Sequence, residues 1–153
     1  MDNVNEILKI LESNKVDYIL YYSVKGFESV KKVVETLGVD MDMVIKTMIV
    51  YSKNKLYTFL VRGGKKLDMD VVRGELQDDD ARLATPKEMK EYLGIEPGEA
   101  SPFHPKVMEL RTYLDLDSTR YDRVIVGGGS KYHVIQVSLD DLVRVLKPFY
   151  VMI

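Results

Sequence analysis

The sequence predicts a single α+β domain, and three observations predict it. Apolar residues recur at helical spacing in several separate blocks, apolar runs of strand length stand between those blocks, and two such runs are joined by a short polar turn into a hairpin. The order lacks the regular strand–helix–strand alternation of a parallel sheet. The 153 residues suit one core of ordinary size, and a composition of 46% hydrophobic and 30% charged residues is that of a globular chain. No repeat, linker or block of like charge divides it, so 1–153 reads as one domain.

The elements follow in order. Val4, Ile7, Leu8 and Leu11 share a helical face, with Asp2 or Asn3 as cap and an end near Asn14. Tyr18 to Tyr22 reads as a strand. Val30 to Leu37 returns to helical spacing, capped by Ser29 and stopped by Gly38, and a short helix covers Asp40 to Val44. Thr47 to Tyr51 and Leu56 to Arg62 form the hairpin around Ser52-Lys53-Asn54-Lys55, with Lys46 at the sheet's margin just before it. Asp68 caps a helix to about Leu76, and Ala81 to Ala84 is strand-like. In TPKEMKEYLG, Thr85 caps, Pro86 takes the first helical position and Gly94 terminates. After the loop EPGEASPFHP come RTYLDLD, the strands RVIVGGGS and YHVIQVS around a triple glycine, and a closing helix from Asp140 to Leu146 capped by Ser138.

Composition narrows the function. A net charge of −2 offers no global attraction for nucleic acid, so any RNA contact must come from a local patch. The absence of cysteine excludes disulfides, thiolate metal sites and a cysteine nucleophile, and fits a reducing compartment. Only His104 and His133 are available as imidazole ligands, so a histidine-rich metal site is not expected. The opening MDNVNEILKILESNKVDY has neither the basic start nor the apolar core of a signal peptide, and no later run is long enough to span a bilayer; the chain reads as soluble and cytoplasmic.

Several residues carry possible chemistry. Lys46, at the entrance of an apolar strand, either snorkels to solvent or is a cation poised for a phosphate or a carbonyl. Gly98 and Pro102 bracket GEASP, where proline fixes φ and glycine opens backbone geometries closed to other residues, so adjacent N–H groups can be held towards one point. Ser101 within that loop has no histidine base at a recognisable spacing, and a turn hydroxyl is the plainer role. Gly127, Gly128 and Gly129 match no nucleotide-binding motif but allow close approach of a backbone or ligand. Arg62, Lys65 and Lys66 in RGGKK can meet RNA phosphates or be a solvated turn. Tyr21 and Tyr22 can stack on a base, though strand aromatics are ordinarily core, and His104 reads as exposed.

Taken in order, Lys46-Thr47 opening an apolar strand, GGKKLD after the hairpin, LATPKEMKEYLGIEPGEASPF and RVIVGGGSKYHVIQVSLDDLVRVL resemble the YbaK/EbsC family, the prolyl-tRNA synthetase-associated editing domains. The likeness runs from about Val16 to Leu146. It implies one domain with a curved, mostly antiparallel mixed sheet and surrounding helices, and a hydrolase that removes a wrong amino acid from tRNA in trans. By position in the motifs it implies that Lys46, Gly98, Ser101 and Pro102 form the catalytic set. Tyr22, Thr47, Glu99, Ala100, Asp115 and Gly127 to Gly129 would contact the substrate, and Arg62, Lys65 and Lys66 the tRNA phosphates. Within Tyr18 to Phe27 this chain departs from the family's pattern, with YYSVKGF where a histidine or a tyrosine followed by acidic and proline residues is common. The resemblance implies mischarged tRNA and an aminoacyl-tRNA synthetase as partners, no cofactor or metal, no membrane or DNA, and a monomer or homodimer. A non-catalytic module binding a tRNA end or a synthetase is the competing expectation.

Overall fold

In the computed structural model, which describes residues 2–153, the chain runs α1 (Asn3–Ser13), β1 (Tyr18–Tyr22), α2 (Val30–Leu37), a 3-10 turn (Met41–Met43), β2 (Ile45–Ser52) and β3 (Lys55–Arg62). It continues through α3 (Met69–Leu76), β4 (Arg82–Leu83), α4 (Pro86–Leu93), α5 (Pro105–Met108) and β5 (Arg111–Asp115). A second 3-10 turn (Leu116–Arg120), β6 (Arg123–Gly127), β7 (His133–Ser138), α6 (Leu139–Leu146) and β8 (Phe149–Val151) complete it. The α+β class holds. The strands divide into an antiparallel sheet β1-β7-β6 and a mixed sheet β4-β2-β3-β5-β8, in which β5 lies parallel to both β3 and β8. An isolated bridge between Val44 and Ile125 joins the two.

Burial follows the strand pleat. Ile45 and Leu60 face a core shared with α1, β6, β7 and α6, where Ile7, Leu11, Val124, Ile135 and Leu142 are buried. Phe59 and Val61 face the other way, against α3, and the Phe59 ring stacks on Tyr113 at 4.6 Å. A third cluster, Phe27, Val33, Val44, Ile125 and Val134, fastens α2 across the seam between the sheets.

Local signals account for most helix ends. Ser29 Oγ accepts from Lys32 N–H at 3.2 Å, and Ser138 Oγ from Asp141 N–H at 3.0 Å. Gly38 and Gly94 adopt the left-handed conformation at their helix ends. At α1 Asp2 stands at the N-cap position but its side chain makes no capping hydrogen bond, and Asn3 turns its Oδ1 to His104 Nε2 at 3.1 Å. His104 is therefore buried, not exposed, and its Nδ1 accepts from Lys106 N–H to start α5. The chain also does not close on a helix: β8 follows α6 and pairs with β5.

The best-built terminus is that of α4. Thr85 Oγ1 accepts from Glu88 N–H at 3.1 Å, Glu88 Oε1 accepts from Thr85 N–H at 2.9 Å, and Arg82 donates to both Glu88 oxygens at 2.8 Å. These bonds, the Arg82 pair foremost, pull the Glu88 pKa from 4.5 to about 2. Because the folded-state pKa is depressed, the stabilisation is full above about pH 4.5 and is lost as pH falls towards about 2. A carbon-detected NMR titration is expected to show Glu88 still largely ionised at pH 3. Thr85→Ala is expected to lower stability in urea by about 1 kcal/mol.

Candidate active site

Lys46 lies inside β2, opposite Val61 of β3, not ahead of the strand. Its pleat neighbours Met48 and Val50 pack against the apolar α3 cluster, so its stem is sheathed and its ammonium is only partly solvated. Burial pulls its pKa below the ordinary lysine value. Its Nζ donates to the Lys65 carbonyl, from the loop that follows β3. Beside it, Thr47 Oγ1 is buried and has no hydrogen-bond partner among the described residues.

The 98–102 loop is stretched between two core anchors, Ile95 and Phe103, both fully buried. Glu99 N–H donates to the Glu96 carbonyl at 3.0 Å, and the Glu99 carboxylate accepts from Glu96 N–H at 2.8 Å. Ser101 Oγ accepts from Phe103 N–H at 3.2 Å, so this hydroxyl serves the turn. Gly98 sits at φ +89°, a conformation that strains any residue with a Cβ. Among the described residues, the N–H groups of Gly98, Ala100 and Ser101 donate no hydrogen bond within the chain.

The end of β6 meets this loop directly. A Cβ on Gly127 would stand 2.2 Å from the Ala100 carbonyl oxygen, so only glycine lets the two backbones touch. Between β2, this loop and α2 opens a cavity of about 440 Å³. Lys46, Thr47, Gly98, Ala100 and Gly127 all line it, opposite an apolar wall that includes Phe27, Val33, Val44 and Val134. Sequence reasoning missed this wall. Its residues form one apolar cluster only in three dimensions, drawn from the loop before α2, α2 itself, the residue before β2 and the start of β7, and no spacing in the chain marks them.

The other expected site residues lie elsewhere. Ser101 and Pro102 are buried behind the loop. Asp115 is fully buried and faces Arg62, Oδ2 to Nε at 3.9 Å, while Arg62 also reaches Asp117 Oδ2 at 3.5 Å. At those separations the contact is an ion pair without a hydrogen bond, Arg62 Nε and Asp115 Oδ2 are buried without a hydrogen-bond partner among the described residues, and neither residue lines the cavity. Lys65 contributes its carbonyl to Lys46, and Lys66 is exposed. Gly128 donates its N–H to the His133 carbonyl, and Gly129 packs against α1 at Ile7 and Asn3. Glu99 and Gly129 line a separate recess with His133. Tyr22 is 63% exposed, its ring 5.2 Å from that of His133, and it lines neither. His133 Nδ1 is bonded to Ser130 Oγ at 2.8 Å, which fixes the turn.

Fold and cavity define an α+β domain whose ligand-sized site is built from main-chain amides, one ammonium and an apolar wall. The chain belongs to the aminoacyl-tRNA editing domain family, whose model matches residues 25–145. The proline–tRNA ligase of Caldicellulosiruptor bescii is 28% identical over 115 residues, 74% of this chain and 19% of that protein. That of Staphylococcus haemolyticus is 26% identical over 114 residues, 74% of this chain and 20% of that protein. The chain thus spans about a fifth of the length of these curated relatives. A solved structure of a protein proposed to be a trans-editing enzyme for prolyl tRNA synthetase superposes with a TM-score of 0.85 at 21% identity. The match covers 98% of this chain and 95% of that one, and it establishes the shared fold. The family read from the motif order is borne out. No helix among the described residues is long and apolar enough to cross a membrane.

Gly127→Ala is expected to force β6 and the 98–102 loop apart. Stability should fall by about 1 to 3 kcal/mol, the usual range for overpacking, as read by urea denaturation.

Proposed function

We propose that the protein is an aminoacyl-tRNA deacylase that acts in trans in the cytoplasm, hydrolysing the ester between a wrongly attached amino acid and the terminal adenosine of tRNA. The observation that carries this reading is the single cavity shared by Lys46, the Gly98–Ala100 main chain and Gly127. Membership of the editing family and the proline–tRNA ligase relatives support proline tRNA as the carrier.

In this reading the unpaired N–H groups at Gly98 and Ala100, both in the cavity lining, stabilise the carbonyl oxygen as it becomes an oxyanion. Water adds to the carbonyl carbon and passes its proton, through the substrate's own vicinal hydroxyl or thiol, to the ribose oxygen of the ester. The ester C–O bond then breaks, and the ribose oxygen leaves as a hydroxyl. Lys46 exchanges the Lys65 carbonyl for the terminal phosphate or the ester oxygen through a charge-assisted hydrogen bond. Thr47 Oγ1, buried without a partner, offers a further polar contact. On the same reading Lys65, whose carbonyl accepts from the Lys46 ammonium, and its neighbour Lys66 take tRNA phosphates, with Arg62 held back by Asp115.

Specificity follows from volume. The apolar wall admits a small side chain such as that of alanine, cysteine, serine or threonine and refuses a larger one, one methylene being worth about 1 to 3 kcal/mol.

Deacylation of a panel of mischarged proline tRNAs tests this. Wild type is expected to release one small amino acid rapidly, and Lys46→Ala to lower kcat/KM by about 100-fold, the scale of losing one transition-state contact. Tight binding of charged tRNA with the ester intact would establish the non-catalytic module instead. Equal turnover by Lys46→Ala would remove Lys46 from the mechanism.

A further inference from the structure

We propose that Glu28 recognises the α-ammonium group of the esterified amino acid, a specificity role that rests on the deacylase reading above. Among the described residues lining the cavity, Glu28 and Lys46 are the ionisable ones. They stand on different walls: Lys46 belongs to β2, and Glu28 directly precedes Ser29, the N-cap of α2. An aminoacyl-adenosine end carries one cation, its α-ammonium, and negative charge only on its phosphate. Opposed charges in the cavity therefore admit one orientation, with phosphate or ester oxygen towards Lys46 and ammonium towards Glu28.

The placement fits the covalent geometry of the substrate. A Cβ built on Gly98 would lie 3.7 Å from Glu28 Cβ and 3.8 Å from Lys131 Cβ, so the Glu28 stem stands beside the first residue of the loop assigned to the ester carbonyl, with the Lys131 stem next to it. In an aminoacyl ester the ammonium nitrogen is two bonds from that carbonyl carbon, so a carboxylate beside the loop is within its reach. The chain makes room for this carboxylate, since a Cβ on Gly26 would stand 2.8 Å from each Glu28 oxygen. Lys32 Nζ donates to Oε1 at 2.5 Å, and this bond, with Lys131 nearby, holds the carboxyl ionised. The Glu28–Lys32 pair is an exposed i,i+4 contact, with side chains 37% and 47% accessible, and pairs of that kind add little to stability.

The test compares the mischarged proline tRNA that wild type hydrolyses fastest with the same tRNA after N-acetylation, which removes the cation and keeps the ester. The readout is the ratio of kcat/KM for free-amine over N-acetyl substrate. In Glu28→Gln this ratio is expected to fall about three- to tenfold from the wild-type value, the range for a partly exposed charged hydrogen bond. Glu28→Asp is expected to retain part of it, and Lys32→Ala, which breaks the pair but spares the carboxylate, to keep it at or above wild type. A ratio unmoved by Glu28→Gln overturns the proposal, as does an equal loss on both esters in Glu28→Gln and Lys32→Ala, the mark of a purely structural pair. Failure of wild type to hydrolyse either ester overturns the deacylase reading and this proposal together, whereas hydrolysis with an unmoved ratio overturns only the role of Glu28.

Discussion

The arrangement of the cavity depends on one contact: the main chain of β6 at Gly127 resting on the Ala100 carbonyl. Two backbones approach this closely only where no side chain intervenes. The contact ties the end of the antiparallel sheet to a loop that has little apolar surface of its own. Ile95 and Phe103 fasten the two ends of that loop in different parts of the core. Its N–H groups are thus held by packing on three sides, and no internal hydrogen bond uses up those of Gly98, Ala100 and Ser101. Preorganised dipoles of this kind need no reorganisation as charge develops on a bound carbonyl, which is the physical advantage of placing them on a stiff main chain.

Lys46 answers the loop from a more rigid element. β2 is paired with β3 along its whole length, Lys46 opposite Val61, so the lysine's Cα is fixed by the sheet even though its ammonium is not. Its environment opposes the charged form, as its lowered pKa shows, and one carbonyl acceptor only partly offsets that loss of hydration. An apolar residue would suit the strand better. A cation kept against that preference, facing a cavity, is what the proposed role of Lys46 builds on.

The parts of this structure that were readable in the sequence are those decided within a few residues. Ser29 and Gly38, Thr85 through Gly94, and Ser138 mark helix ends because a cap is a bond between near neighbours. The hairpin and the glycine at φ +89° belong to the same class. What stayed hidden is decided by distant pairings. The division into two sheets, the parallel seat of β8 beside β5 and the burial of His104 against Asn3 leave no local trace. The same reason separates the site residues. Lys46, Gly98 and Gly127 could be found because each breaks a local pattern, a charge in an apolar strand or a glycine where a turn tightens. Asp115 and Arg62 looked equally free as letters, and only the fold pairs them.

The apolar wall imposes a further constraint, because it serves two purposes at once. Phe27, Val33, Val44 and Val134 line the cavity and are also the cluster that holds α2 across the seam. Trimming one of them enlarges the space for a substrate side chain by a methyl or so, and in a buried cluster each lost methylene forfeits about 0.8 kcal/mol of burial before any cavity penalty. The discrimination available from one methylene of substrate is of similar size, about 1 to 3 kcal/mol. Pocket volume therefore cannot be retuned independently of the packing of α2, whereas the main-chain amides and Lys46 lie outside that cluster and are unaffected by its composition. The wall of this cavity is core and its loop-side lining is main chain, so a change in its volume is first a problem of repacking.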